Sequence, residues 1–245
     1  MGSVVTAQRV VLVHGAWCGG WVWRDVVAQL AGLGHSATAP TLTGLGEKAH
    51  RLTDEVGLST HVDDIVAHIE FNDLTDIDLV GWSYGGMVIT GVLARIPNRI
   101  RSMCYLDAFV PANGQCLADL SVGATGALAR EYEAARVPFP TRGAEYFGVT
   151  DEAVLAYCAP RLRPQPWKAM VEPVIALADF PEHVTLSYVI CTEPENASFR
   201  AVYDRLRTDP RWETHELATT HFAPLTNPDG VSQLIARDRA TKAPG

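Results

Sequence analysis

The sequence has few cysteines, no excess of positive charge and no long apolar run, and each shortage excludes a class of protein. Its 20 Lys and Arg are outnumbered by 28 Asp and Glu, which gives a net charge of −8. Proteins that bind nucleic acids need a basic face, so this balance argues against such a partner. No apolar stretch reaches the length that crosses a bilayer, and we therefore expect no membrane partner.

The five cysteines, at positions 18, 104, 116, 158 and 191, are odd in number and form no C-x-x-C pair. Neither a disulfide framework nor a zinc ribbon is indicated. The first residues, M-G-S-V-V-T-A-Q-R, lack the charged and apolar regions of a secretion signal. We therefore expect a reduced, soluble, cytoplasmic protein, and a homodimer remains open.

Strand patterns alternate with helical patterns along most of the 245 residues. This alternation predicts an α/β fold with a mostly parallel sheet and helices on both faces. A helix is expected from the glycine-rich stretch after the first strand, ending at Gly32 and Gly34. The predicted strands lie at about 9–14, 35–39, 77–81, 100–107, 184–191 and 211–217.

The alternation fails between Pro111 and Phe180, where Gly and Pro loops mix with short helical patterns. A segment of this length is too long for a bare loop. We expect a small helical cap at 111–180, inserted into a core formed by 1–110 and 181–245.

The stretch D-L-V-G-W-S-Y-G-G-M-V, around Ser83, runs from a strand pattern directly into a helical one. Its G-x-S-x-G spacing in this context is typical of a nucleophile elbow, a sharp turn that presents a serine at the edge of a sheet. The glycines make room for the turn. Ser83 is therefore the predicted nucleophile.

A serine hydroxyl needs a base, and in this arrangement the histidine comes last in the chain. His221, in T-T-H-F-A-P after the final strand, has that place. The oxyanion of a tetrahedral intermediate needs N–H donors. We expect them from the backbone of Tyr84, just after the serine, and of Ala16, in the loop after the first strand.

These stretches, V-L-V-H-G-A-W-C-G-G-W, G-W-S-Y-G-G-M-V and T-H-F-A-P, resemble the α/β-hydrolase fold. Within it the chain is most similar to the compact branch of plant methylesterases, hydroxynitrile lyases and bacterial esterase relatives. The lyases of that branch carry a threonine where this chain has Gly15 and a lysine where it has Phe222. Both differences favour hydrolysis over cyanohydrin cleavage.

The acid that orients the histidine has two candidate places. In plant relatives it follows the next-to-last strand, where this chain has Glu193 and Glu195. Other branches of the fold place it after the strand that follows the elbow, where this chain has Asp107. A buried acid at a strand end needs a partner, and imidazole is a suitable one. We favour Asp107.

The sequence thus predicts a serine hydrolase that cleaves a small, largely neutral carboxylic ester, or a related carbamate or amide. No cofactor or metal is implied. Alternatives are a non-hydrolytic lyase or eliminating enzyme that uses His221 as its base, and a ligand-binding receptor. Aromatic side chains are expected to line an apolar pocket under the cap: Trp17, Trp82, Phe139, Trp167 and Phe222.

His61 and His68 are seven residues apart beside Asp64, which allows a metal site in principle. Because no H-E-x-x-H pattern is present, a solvated helix face is the favoured interpretation.

Overall fold

The computed structural model of the protein describes residues 7–237, centred on a six-stranded sheet in the order β2-β1-β3-β4-β5-β6. Every neighbouring pair in this sheet is parallel. The predicted α/β fold is therefore confirmed. The strands are β1 (Arg9–Val13), β2 (Ser36–Thr38), β3 (Ile77–Trp82), β4 (Ile100–Leu106), β5 (Thr185–Cys191) and β6 (Trp212–Leu217).

Helices connect the strands, and none of those formed by residues 7–237 is long and apolar enough to span a membrane. The α-helices are α1 (Arg24–Gly32), α2 (Leu58–Phe71), α3 (Gly85–Arg95), α4 (Leu117–Leu120), α5 (Ala124–Ala135), α6 (Glu152–Cys158), α7 (Trp167–Val171), α8 (Ala197–Leu206), α9 (Ala223–Thr226) and α10 (Pro228–Arg237).

The sheet is buried on both faces. Val11 and Val13 of β1 enter one apolar core together with α2 and α3, whereas Val10 and Leu12 enter a second core together with α1 and α10. Strands buried on both sides are rich in apolar residues throughout, as parallel strands usually are. Helices therefore cover both faces, as predicted.

Between β4 and β5 lie the helices α4 to α7, in the segment predicted as an insertion. Its one β-type pairing is an isolated antiparallel bridge between Phe139 and Gln165. We call residues 111–180 the cap segment. Its helix α7 contacts α2.

The first helix begins later than the sequence suggested. The chain from His14 to Gly19 is a loop, a 3₁₀ turn covers Gly20–Trp23, and α1 starts only at Arg24. Trp17 in this loop has a φ of +65°, outside the right-handed helical region. A regular helix therefore cannot form there, and the loop stays at the edge of the sheet.

Two glycines at the start of α3 let the backbone pass very close to its neighbours. A Cβ atom at Gly85 would lie 2.5 Å from the carbonyl oxygen of Val13, and one at Gly86 would overlap the carbonyl oxygen of Phe109. The first turn of α3 therefore packs directly against β1 and the chain that follows β4. Ser83, just before this turn, is held at the carboxyl edge of the sheet.

Replacing Gly86 by Ala should lower the free energy of unfolding by about 1–3 kcal/mol, because the new methyl group overlaps backbone rather than a flexible side chain. Gly32→Ala is the matched control, since nothing lies within 4 Å of a Cβ there. We expect the control to change stability by less than about 1 kcal/mol. Urea denaturation followed by circular dichroism measures both; equal stabilities would contradict the close-packing argument.

Candidate active site

Ser83 occupies the tip of the turn between β3 and α3 and is largely buried, with a φ of +57°. Its N–H donates to the carbonyl oxygen of Leu106 at 3.2 Å, and its own carbonyl oxygen accepts from the N–H of Gly86 at 3.1 Å and of Phe109 at 3.3 Å. A non-glycine residue in this region costs about 1–3 kcal/mol and persists only where its surroundings hold it. These three hydrogen bonds do so.

His221 lies between Ser83 and Asp107. Its Nε2 is 3.0 Å from the Oγ of Ser83, and its Nδ1 is 2.7 Å from Oδ2 of Asp107. The other Asp107 oxygen accepts from the N–H of Cys191 at 3.2 Å. With Nδ1–H donated to the carboxyl group, Nε2 is left to accept the serine proton. This is the tautomer that a general base requires.

The imidazole is enclosed by aromatic side chains and is only 5% exposed. The Nε1–H of Trp82 donates to the carbonyl oxygen of His221 at 2.7 Å. Phe199 stacks on the imidazole at 5.1 Å and 12°, and the Phe147 ring centre lies 4.9 Å away. The ring is therefore held in place and screened from water.

The two glutamates weighed as alternative acids are not hydrogen-bonded to His221, although Glu195 borders the same cavity as Ser83. Glu193 and Glu195 are both exposed, and Oε2 of Glu195 accepts from the Nε–H of Arg200 at 2.9 Å. That hydrogen bond lowers the pKa of Glu195. Both ring nitrogens of His221 are already engaged by Ser83 and Asp107.

Ala16 and Tyr84 border the same cavity as Ser83, and within residues 7–237 the backbone N–H of each has no hydrogen-bond acceptor. The N–H of Leu42 donates to Nε2 of His14, so Nδ1–H donates to the carbonyl oxygen of Gly15 at 2.8 Å. That carbonyl shares a peptide plane with the Ala16 N–H. Burial lowers the pKa of His14 to about 3, which keeps the ring neutral.

Tyr84 is anchored by a buried network rather than facing solvent. Its hydroxyl donates to Nδ1 of His61 at 2.8 Å, and Nε2–H of His61 donates to the carbonyl oxygen of Thr43 at 2.9 Å. Burial lowers the pKa of His61 to about 4. The solvated helix face expected for His61 is therefore wrong. No cluster of metal-ligating side chains occurs in the part of the chain that the structure describes.

A cavity of about 350 Å³ opens beside Ser83 and His221. The chain around β5 and α8 forms one wall, and the cap segment forms much of the rest. The cap side chains on its wall are Leu117, Ser121, Val122, Thr125, Arg142, Tyr146, Phe147 and Met170.

Of the five aromatic residues predicted to line a pocket, Trp17 borders the cavity and the other four do not. Trp82 and Phe222 pack against each other below His221, with ring centres 5.1 Å apart. Phe139 is fully buried behind Trp17, and the ring of Trp167 lies under the guanidinium of Arg136. The prediction that these four rings line the pocket is therefore corrected.

Sequence reasoning missed Phe147 and Phe199, the rings nearest the imidazole. Phe199 stands in the first turns of α8, the helix after β5, so its position at the carboxyl edge was a usable signal. Phe147 lies in a short 3₁₀ turn of the cap segment. Such a turn has no periodic hydrophobic pattern from which the position of Phe147 could be predicted.

Curated relatives match part of the chain. The carbendazim-hydrolyzing esterase of Nocardioides sp. (strain SG-4G) is 55% identical over 107 residues, which are 44% of this chain and 44% of that protein. Methylesterase 8 of Arabidopsis thaliana is 30% identical over 106 residues, covering 42% of this chain and 39% of the relative. The chain thus matches less than half the length of these relatives.

A solved structure extends the likeness over nearly the whole fold. An extracellular alpha/beta-hydrolase from a Paenibacillus species superposes with a TM-score of 0.79 at 22% identity, covering 94% of this chain and 98% of that one. At this identity the likeness shows the fold alone. The sequence model of the alpha/beta hydrolase family matches residues 10–234. The resemblance noted in the motifs is confirmed: the chain belongs to the alpha/beta hydrolase family.

Proposed function

We propose that the protein is a serine hydrolase that cleaves a small, largely neutral carboxylic ester, or a related carbamate or amide, through an acyl-enzyme on Ser83. One observation carries the proposal. Ser83, His221 and Asp107 form a continuous hydrogen-bonded chain on the wall of a cavity large enough for a small substrate. The esterase and methylesterase relatives support the same activity.

In the proposed reaction the Oγ of Ser83 attacks the carbonyl carbon of the substrate while Nε2 of His221 takes the hydroxyl proton. Asp107 holds the imidazole and stabilises its protonated form. The negative charge that develops on the carbonyl oxygen is bound by the N–H groups of Ala16 and Tyr84. When the carbon–oxygen bond to the alcohol breaks, His221 returns the proton to the leaving group.

The second half of the reaction uses the same groups in reverse order. Water attacks the acyl-enzyme, His221 accepts the water proton, and the ester bond to Ser83 breaks to release a carboxylic acid. The serine regains its proton from His221. A carbamate follows the same course, with a carbamic acid as the product; no cofactor enters either reaction.

The proposed substrate class follows from the cavity and from the relatives. Trp17, Phe147 and Phe199 give the cavity flat apolar walls that suit an aromatic or aliphatic group. The name of the Nocardioides relative makes carbendazim the first substrate to assay. We infer that 111–180 acts as a cap on a core of 1–110 and 181–245. A cytoplasmic location and a homodimer stay predictions.

Ser83→Ala and His221→Ala should each lower kcat for p-nitrophenyl acetate about 10⁴- to 10⁶-fold, because the groups act as a unit. A fluorophosphonate probe should add one label, on the peptide that carries Ser83. Ser121→Ala is the control, since this serine also borders the cavity but donates to the carbonyl oxygen of Leu117. Full turnover in Ser83→Ala, with loss in His221→Ala, would instead favour the eliminating enzyme.

Asp107→Asn should lower kcat about 10⁴-fold, because the amide no longer holds the required imidazole tautomer. Glu193→Gln and Glu195→Gln are the matched controls, since both remove one carboxylate at the same end of the sheet. We expect less than about a tenfold change from either, because neither carboxylate holds the His221 imidazole. Steady-state kinetics on one ester compares all three; a large loss in a glutamate variant would reassign the acid.

Met170→Ala should shift the preference between hexanoate and acetate esters about tenfold towards the longer chain, because the cavity gains volume at a buried wall position. Trp167→Phe is the control in the same helix, and its ring lies outside the cavity. The ratio of kcat/KM values for the two esters is the measurement. An equal loss on both esters in the two variants would mean that the cap wall does not select substrates.

A further inference from the structure

The loop that carries Ala16 is tied to the cap segment through its next residue. The N–H of Trp17 donates to Oε1 of Gln165 at 2.9 Å, and the N–H of Arg163 donates to the carbonyl oxygen of Trp17 at 2.9 Å. Trp17 has a φ of +65° and needs outside support in that conformation. Both of these supports come from the cap segment.

Gln165 is itself rigidly placed. It is fully buried, and its backbone exchanges two hydrogen bonds with Phe139, at 2.8 and 2.9 Å. The ring of Phe139 packs on the ring of Trp17, with centres 6.2 Å apart. The amide oxygen of Gln165 is therefore held in place where it accepts from the N–H of Trp17.

The other end of the same amide indicates why a glutamine stands here. Because a backbone N–H can only donate, the atom facing Trp17 is the oxygen, and Nε2 is the opposite atom. Within residues 7–237 this buried Nε2 has no hydrogen-bond partner. A buried donor without a partner is destabilising, and an apolar side chain would avoid that cost only by leaving the N–H of Trp17 without its acceptor. The amide oxygen is therefore the part of Gln165 on which the Trp17 loop depends.

We propose that Gln165 is a positioning residue for the oxyanion hole. By accepting from Trp17 it fixes the peptide between Ala16 and Trp17, while His14 fixes the peptide between Gly15 and Ala16. The peptide groups on both sides of Ala16 are thereby held in place, and the first of them contains the Ala16 N–H. The inference rests on the proposed hydrolase function. It implies that the oxyanion hole is complete only when the cap segment is docked on the core.

The expected effect lies in the transition state rather than in substrate binding. A ground-state carbonyl makes weak contacts with the oxyanion donors, whereas the tetrahedral oxyanion needs both at hydrogen-bonding distance. Loosening Ala16 should therefore lower kcat even for an ester too small to touch the cap wall. A residue that only shapes the pocket would instead change KM and the ranking of substrates.

The test compares Gln165→Met, which keeps the volume and loses the acceptor, with Gln165→Glu, which keeps an acceptor oxygen. For p-nitrophenyl acetate we expect Gln165→Met to lower kcat about 10- to 100-fold with little change in KM, less than the loss of a whole oxyanion donor. Gln165→Glu should restore most of that kcat. Gln165→Asn, whose side chain is one methylene shorter, should behave like Gln165→Met. It replaces Gln165→Met in the comparison if that variant does not fold.

Glu172→Met is the matched control, because Glu172 is a second tie from the cap segment to the core, through the hydroxyl of Ser59 at 2.8 Å. It should leave kcat for the small ester unchanged. Equal kcat in the parent, Gln165→Met and Gln165→Glu, or equal losses in the Met and Glu variants, would overturn the inference. A parent protein that hydrolyses no ester would instead overturn the proposed function.

Discussion

The arrangement of the whole site depends on how closely the backbone packs where β3 turns into α3. Gly85 and Gly86 allow α3 to start against β1 and against the chain that follows β4. The parallel register then sets where each neighbouring strand ends at the carboxyl edge: Trp82 pairs with Leu106, and Leu106 pairs with Val189. The residues that follow β3 and β4 therefore emerge at the same level of the sheet edge, and His221 completes the row from the chain after β6.

Within residues 7–237, three of the six non-glycine residues with positive φ lie where the site meets the sheet. Trp17, Ser83 and Asp107 are all non-glycine residues with positive φ, at +65°, +57° and +42°. Each is restrained by backbone hydrogen bonds, including that from the Asp107 N–H to the carbonyl oxygen of Val189 at 2.7 Å. Conformations of this kind cluster at functional sites because surrounding structure supplies the stability they lack. The apolar cores on both faces of the sheet provide that stability here.

The sheet and the elbow could be predicted because their signals are local. An apolar strand, three glycines around a serine and a helical pattern lie within a short stretch of chain, and Asp107 ends a strand beside it. The cavity wall could not be predicted, because it depends on which face of each short cap helix meets the core. Trp82 and Phe139 have the right chemistry for a pocket, but neighbours distant in sequence enclose them. His61 has a helical spacing typical of an exposed face, yet it is buried against Tyr84.

The bonds that assemble the site join parts of the chain that are far apart in sequence. His221 meets Asp107 across 114 residues and Ser83 across 138, and Trp17 meets Gln165 across 148. Contacts between residues so far apart in sequence form late, because closing a long loop lowers the chain entropy before the contact can stabilise the fold. A growing chain on the ribosome can fold the turn around Ser83 long before His221 has been synthesised. Hydrolytic activity, under the proposed mechanism, would therefore appear only at the final stage of folding and would report its completion.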